Sequence, residues 1–349
     1  MPPVAAHFNG SVNLPDAETV FRELVTRVPL GVSRLPDGET GDRARWIGYQ
    51  LTRLLATPGL ERVDPDPAGA GAYGGNRPTL RLAAGVDPDG VEWPDLGYAS
   101  AYLDSYATFA RLRAEEVLPP GVRMQAQYPT ATAVSGFFHP RDRHLLVPRY
   151  ERALLADLDR LVAAVPLADL AVQWDVAVEI GMLERAPDTF DMVVGALGRH
   201  LDHPPPELPV GVHLCYGDAG HRHFMQPTSL ATQVQLTNAL TRRPGRPPAW
   251  VSFTVPQDRA DEDYFAPLAG LHTSAGTEIY FALVPYHPDD QPPGHTAAQV
   301  RLIDRYLPAT VGPWGVCTEC GMGRAERADV PRLLDLHRQI LDSFRFAPS

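Results

Sequence analysis

All three cysteines of this 349-residue chain fall in two short stretches. One is Val212-His213-Leu214-Cys215-Tyr216-Gly217-Asp218; the other is Cys317-Thr318-Glu319-Cys320-Gly321-Met322-Gly323-Arg324. Each follows an apolar run that reads as a strand, residues 209–212 and 314–316. A His-x-Cys pair at one strand end and a cysteine at another offer one nitrogen and two sulfurs, donors that suit zinc. Because side chains alternate along a strand, His213 and Cys215 point to the same side. Alone, the pair also fits a small buried hydrophobe beside a hydrogen-bonded core histidine. Cys317 and Cys320 form a C-x-x-C, which alone fits a redox pair or half of a structural zinc site. An all-cysteine structural site needs a fourth cysteine, and a redox pair usually opens a helix, which Gly321-Met322-Gly323 argues against. Together the two stretches point to a catalytic metal site.

Carboxylates and further histidines accompany them. Asp37-Gly38-Glu39 follows the second predicted strand and offers acids for binding an amine or for acid–base work. The same Asp-Gly is also a common turn dipeptide. Asp175 and Glu179 follow the fourth predicted strand on an otherwise apolar run. An unpaired acid there is costly, so at least one faces a cavity or enters a salt bridge. His221 and His223 could add a ligand or an acid–base group, or be solvated loop residues. Tyr286-His287 and Asp289-Asp290 are linked to a site only by their place after a strand.

The elements that must position these groups alternate along the chain. Strands are expected over 4–8, 31–35, 123–127, 170–174, 209–215, 250–254, 278–283 and 314–316. Helices are expected over 16–28, 45–55, 99–117, 148–165, 190–201, 229–240, 295–306 and 330–344, from apolar residues at helical spacing. Eight strands alternating with helices predict an α/β fold, a single (β/α)8 TIM barrel over residues 1–349. The polar clusters follow the strands, where barrel enzymes build active sites. The Gly/Pro-rich region 58–97 breaks the rhythm. There Thr79–Leu82 and Val91–Trp93 flank Asp87-Pro88-Asp89-Gly90, which predicts a hairpin insertion after strand two.

Composition narrows the function class. A net charge of −11 argues against a nucleic-acid partner and leaves small molecules as the expected partners. All 31 basic residues are arginine, so Schiff-base and P-loop lysines are excluded. No apolar run reaches the ~18 residues of a membrane span, and no signal peptide is expected. The odd number of cysteines in metal-like spacing suggests a reducing, cytoplasmic setting.

The chain resembles the C-terminal catalytic barrel of cobalamin-independent methionine synthase, within the superfamily that includes uroporphyrinogen decarboxylase. His213-Leu214-Cys215-Tyr216 is similar to that family's His-x-Cys zinc motif at strand five. Cys320-Gly321-Met322 is similar to its Cys-Gly-Leu motif at strand eight. The resemblance implies one catalytic Zn2+ on His213, Cys215 and Cys320, with Cys320 preferred over Cys317. Asp37-Gly38-Glu39 and Gln173-Trp174-Asp175 resemble the segments that hold the amino acid substrate, and Gly10-Ser11 resembles the Gly-Ser after strand one. The resemblance thus implies substrate-binding roles for Ser11, Asp37, Glu39 and Asp175, to which the chain's own pattern adds Glu179. Glu39, Asp175 and His221 are the candidate catalytic groups. The implied activity is zinc-dependent methyl or alkyl transfer to a thiol such as homocysteine. A metal-dependent lyase or hydrolase, or a metal-free binding or decarboxylase-like barrel, are the alternatives. In one place the chain departs from the family: Thr254 stands near the position of a glutamate that is the fourth zinc ligand.

Overall fold

Ten strands are present in a computed structural model that describes residues 2–65, 77–217 and 225–345. They are β1 (Ala5–Ala6), β2 (Arg34–Pro36), β3 (Leu60–Val63), β4 (Thr79–Leu82), β5 (Arg123–Pro129), β6 (Leu170–Val176), β7 (Val210–Leu214), β8 (Trp250–Phe253), β9 (Glu278–Ala282) and β10 (Trp314–Cys317). Eight of them form one curled parallel sheet in the order β1-β10-β9-β8-β7-β6-β5-β2, with helices around it, the shape of a TIM-like barrel. At the seam between the two outermost strands, Ala6 donates its backbone N–H to Gly31 O at 2.9 Å, and Ser11 bridges Gly38 in parallel.

The register decides which side chains meet inside. Asp175 on β6 pairs with His213 on β7, which pairs with Ser252 on β8, which pairs with Tyr280 on β9. Register partners share a face on strands about 4.8 Å apart, so these four line the same inner wall. The alternate residues, such as Trp174, Val212 and Phe253, face outward onto the helices and are buried there. Trp174 stacks on His200 of helix Phe190–Asp202, with ring centroids 4.4 Å apart.

The interior is polar where many barrels are aliphatic. Near its lower end the Arg34 guanidinium lies 4.0 Å over the Trp250 ring and donates to the Tyr280 hydroxyl at 2.9 Å. It also pairs with Glu278. His7 stacks on Tyr280. Two glycines make room for these rings. A Cβ at Gly211 would fall 2.0 Å from the Trp250 indole, and one at Gly315 would fall 2.6 Å from Tyr280.

The insertion differs from its expected form. Thr79–Leu82 is a strand, but its antiparallel partner is Leu60–Val63. Residues 91–93 form no strand; Val91 is instead buried in the core. The Asp87–Gly90 signal makes a 3-10 turn over Pro88–Gly90, and Asp89 in it pairs with Arg149 and Arg152. Helix Arg143–Ala164 starts before Pro148 and carries that proline inside it. Its earlier start buries Leu146. A further helix, Val178–Arg185, begins where the sequence read only a strand end, and it carries Glu179. No described helix is long and apolar enough to cross a membrane.

Because Gly211 touches the indole directly, Gly211→Ala must displace Trp250. Its unfolding midpoint in urea is expected to drop by the equivalent of about 1–3 kcal/mol. An unchanged midpoint would show that the indole can yield at no cost.

Candidate metal centre and its carboxylate shell

His213 is the penultimate residue of β7, Cys215 follows the strand, and Cys320 lies just beyond β10. Their ligand atoms all lie within 4.8 Å of one another, so the two stretches do converge into a group that could hold a metal ion. His213 and Cys215 are buried and Cys320 is half-buried. The Cys215 sulfur accepts a hydrogen bond from Gly217 N at 3.3 Å. Cys320 is held by its backbone: its N–H donates to the Tyr286 hydroxyl at 2.9 Å, and Tyr286 and Thr318 donate to its carbonyl. Cys317, by contrast, is fully buried below the cluster, and burial pushes its thiol well above the ordinary range.

His213 is oriented on both sides. Nδ1 lies 3.3 Å from Asp175 Oδ1, and Nε2 lies 3.1 Å from the Glu319 carbonyl. Burial alone would lower its pKa. The Asp175 hydrogen bond and charge, with Cys320 and the Glu319 carbonyl, outweigh burial and raise it. A histidine whose far nitrogen meets a carboxylate is the usual arrangement behind a metal-ligating imidazole. This donor set, one imidazole and two sulfurs with a supporting carboxylate, fits a borderline-soft divalent ion.

Two residues that could complete the set are committed elsewhere. The Thr254 hydroxyl donates to Leu214 O at 2.8 Å and reaches Glu319 O at 3.2 Å. Its backbone is bracketed by the Gln233 side-chain amide. The Glu319 carboxylate accepts from Gln257 N at 2.9 Å. His221 and His223 lie outside the described residues.

The carboxylates sort into different environments. Asp37 is fully buried and accepts from Arg43, from Ser105 Oγ at 2.7 Å and from Glu39 N at 3.0 Å. The turn it holds puts Gly38 at φ 80° and Glu39 at φ 49°. The left-handed region is uncommon for a non-glycine residue, and the Asp37 clamp sustains it here. Glu39 gives the turn its N–H and keeps its carboxyl free for the interior. There burial, then the nearby Asp175 and Asp37 charges, raise its pKa to about 8, against the pull of Arg43 and His213. Glu39, Asp175 and His213 are therefore one electrostatic group. Glu179 is separate. Its carboxylate accepts from Thr130, and burial raises its pKa to about 7. Ser11 sits between the two loops: Val12 N donates to Gly38 O and Asn13 N to Met322 O. It also presses on the Cys320 loop, where a Cβ at Gly321 would fall 2.3 Å from its Oγ.

Sequence reasoning did not find Arg43, Ser105 or Tyr286 in these roles. Ser105 acts through a buried partner distant along the chain, which local pattern does not signal; Arg43, though near Asp37 in sequence, is brought back onto it by the intervening turn. Tyr286 could be found only by its place after a strand.

The solved structures this chain resembles include a methyltransferase from Methanosarcina mazei. The match has a TM-score of 0.52 and 10% identity, and it covers 99% of this chain and 95% of that one. At that identity the likeness speaks for the fold. No family model matches the chain, and no curated protein matches it in sequence.

Glu179 gives a pH signature. A carboxyl whose pKa rises from 4.5 when unfolded to about 7 when folded binds protons more tightly in the native state. Its ionisation thus costs stability as pH rises from about 4.5 to about 7, on the order of 3 kcal/mol. Glu179→Gln is expected to flatten this part of the stability–pH curve and to gain on the wild type at pH ~8. Urea melts of both proteins across that range check it, and parallel curves would contradict it.

Proposed function

We propose that this chain is a zinc-dependent methyl or alkyl transferase that activates a thiol acceptor, with residues 1–349 as one catalytic barrel. The observation that carries the reading is the convergence of His213, Cys215 and Cys320 at the C-terminal ends of two strands. The methyltransferase named among the structural matches supports the choice of methyl transfer. Zinc on these three residues would favour the thiolate form of a bound acceptor at neutral pH.

The chain's own residues then supply position and charge. Asp175 holds His213 through Nδ1, which would leave Nε2, now on the Glu319 carbonyl, as the nitrogen available to a metal. Glu39 and the free oxygen of Asp175 form an anionic pair that suits the ammonium group of a homocysteine-like acceptor. A cation there would restore the ionised form of Glu39. Asp37, with Arg43 and Ser105, positions Glu39 and makes no substrate contact of its own. Ser11 sets the spacing of the two loops at the acceptor's edge. In the transfer, the acceptor sulfur, having lost its proton, forms a bond to the alkyl carbon. The donor departs with the electron pair of the broken bond.

A Lewis-acid lyase or hydrolase remains the second reading, because Thr254 contributes no carboxylate and leaves a position open. Metal analysis and a thiol titration separate the readings. Wild-type protein reconstituted with zinc is expected to retain it after desalting. Cys215→Ser and Cys320→Ser are expected to weaken zinc binding by more than about 100-fold, beyond the loss of a supporting group. Cys317→Ser should keep most of it. Equal loss in all three would reject the ligand assignment, and no zinc in the wild type would reject both metal readings. Added homocysteine should alter the visible spectrum of the cobalt-substituted protein; an unmoved spectrum favours the Lewis-acid reading.

A further inference from the structure

The polar groups inside the barrel form a continuous chain that ends on the metal ligand. Arg34 Nε donates to His7 Nδ1 at 3.5 Å, and His7 Nε2 lies 2.8 Å from Gln173 Oε1. Gln173 Nε2 donates to Asp175 Oδ1 at 2.9 Å, and the same oxygen faces His213 Nδ1 at 3.3 Å. All these side chains are buried.

The direction of each bond follows from groups that can act in only one sense. Guanidinium is donor-only, so His7 Nδ1 carries a lone pair and Nε2 carries the proton. Gln173 Oε1 also meets the donor-only indole N–H of Trp250 at 3.3 Å, while its Nε2 meets the acceptor-only Asn9 carbonyl at 2.9 Å. Flipping the amide would break both contacts. Gln173 therefore uses both its acceptor positions and both its donors, and every donor from Arg34 to Gln173 points toward Asp175. A carboxylate oxygen that receives the Gln173 N–H is an acceptor for its other neighbour as well, so the proton shared with His213 sits on Nδ1.

We infer that His7 and Gln173 are positioning residues of the metal centre, which fix the His213 tautomer from inside the barrel. The inference rests on the metal reading above and extends it to two residues that cannot touch the metal or the acceptor.

The test reads zinc affinity by competition with a chromophoric chelator on wild type and variants. Gln173→Leu, which keeps the volume but removes the amide, should weaken zinc binding about tenfold or more. His7→Phe keeps a ring on Tyr280 but loses the donor, and it should weaken binding in the same direction. His7→Gln, whose amide nitrogen can replace Nε2, should restore affinity to within about twofold of wild type. Ser252→Ala is the control: it is equally buried and bonds Asn9 Oδ1 at 2.7 Å, off the chain to Asp175, and it should leave affinity unchanged. Should Gln173→Leu not fold, the His7 pair carries the comparison. In the zinc-loaded wild type, nitrogen-15 NMR should show the His213 proton on Nδ1. Wild-type affinity in Gln173→Leu or His7→Phe, an equal loss in Ser252→Ala, or a proton on Nε2 would overturn the inference. A wild type that binds no zinc would instead overturn the metal reading beneath it.

Discussion

The contact between Asp175 and His213 organises the centre of this molecule. The two are register partners on adjacent strands, so parallel pairing alone brings carboxylate and imidazole together. A buried carboxylate is expensive unless it is bonded. Asp175 meets that requirement at Oδ1, which faces both His213 and Gln173. Glu39 then arrives from the turn after β2, and the local charge becomes excessive. Its pKa of about 8 is the measure of that excess: burial and Asp175 together favour its neutral form. A site with two acids and one imidazole is short of positive charge. A divalent ion on the sulfurs, or an ammonium group between the acids, would each relieve the shortage.

The same constraint explains the polar interior. A half-satisfied buried network is worse than an apolar core, because each unpaired group keeps its full desolvation cost. Gln173 avoids that cost by using all of its hydrogen-bonding capacity, and the glycines opposite Trp250 and Tyr280 leave the rings in place to help it. The Arg34 guanidinium is likewise enclosed by Trp250, Tyr280 and Glu278. The lower barrel is thus a rigid base on which the orientation of one imidazole is built.

Much of the architecture was legible in the sequence because it is written in local periods. Short apolar runs ending in polar clusters marked the eight barrel strands, and apolar stripes marked the helices between them. The convergence of His213, Cys215 and Cys320 was legible because cysteines are scarce and all three sat at or near strand ends. What escaped was non-local. The partner of Thr79–Leu82 lies across a Gly/Pro-rich stretch, so turn chemistry at Asp87–Gly90 suggested the wrong hairpin. Helix Val178–Arg185 follows directly on β6 with only Ala177 between them, and its first residues read as a continuing apolar run. Asp37 looked like a turn acid or a substrate acid. Its contact with Ser105 comes from a helix that no local pattern connects to it, while Arg43 folds back on it from the adjoining turn.

Thr254 bears most directly on the chemistry. A carboxylate at that strand end would close the donor set, but the threonine hydroxyl is spent on two backbone carbonyls and its peptide groups are bracketed by Gln233. Two thiolates and one neutral imidazole would balance a divalent ion without a further anion. Among the described residues, the cluster of metal-capable side chains consists of these three, and Glu319 Oε1 is engaged with Gln257 N. A fourth donor from the substrate, as a thiolate, would complete such a site with one unit of negative charge. An acceptor that carries both a thiol and an amine satisfies the metal and the acids at once, which is why the thiol reading fits this carboxylate shell better than simple Lewis-acid hydrolysis does.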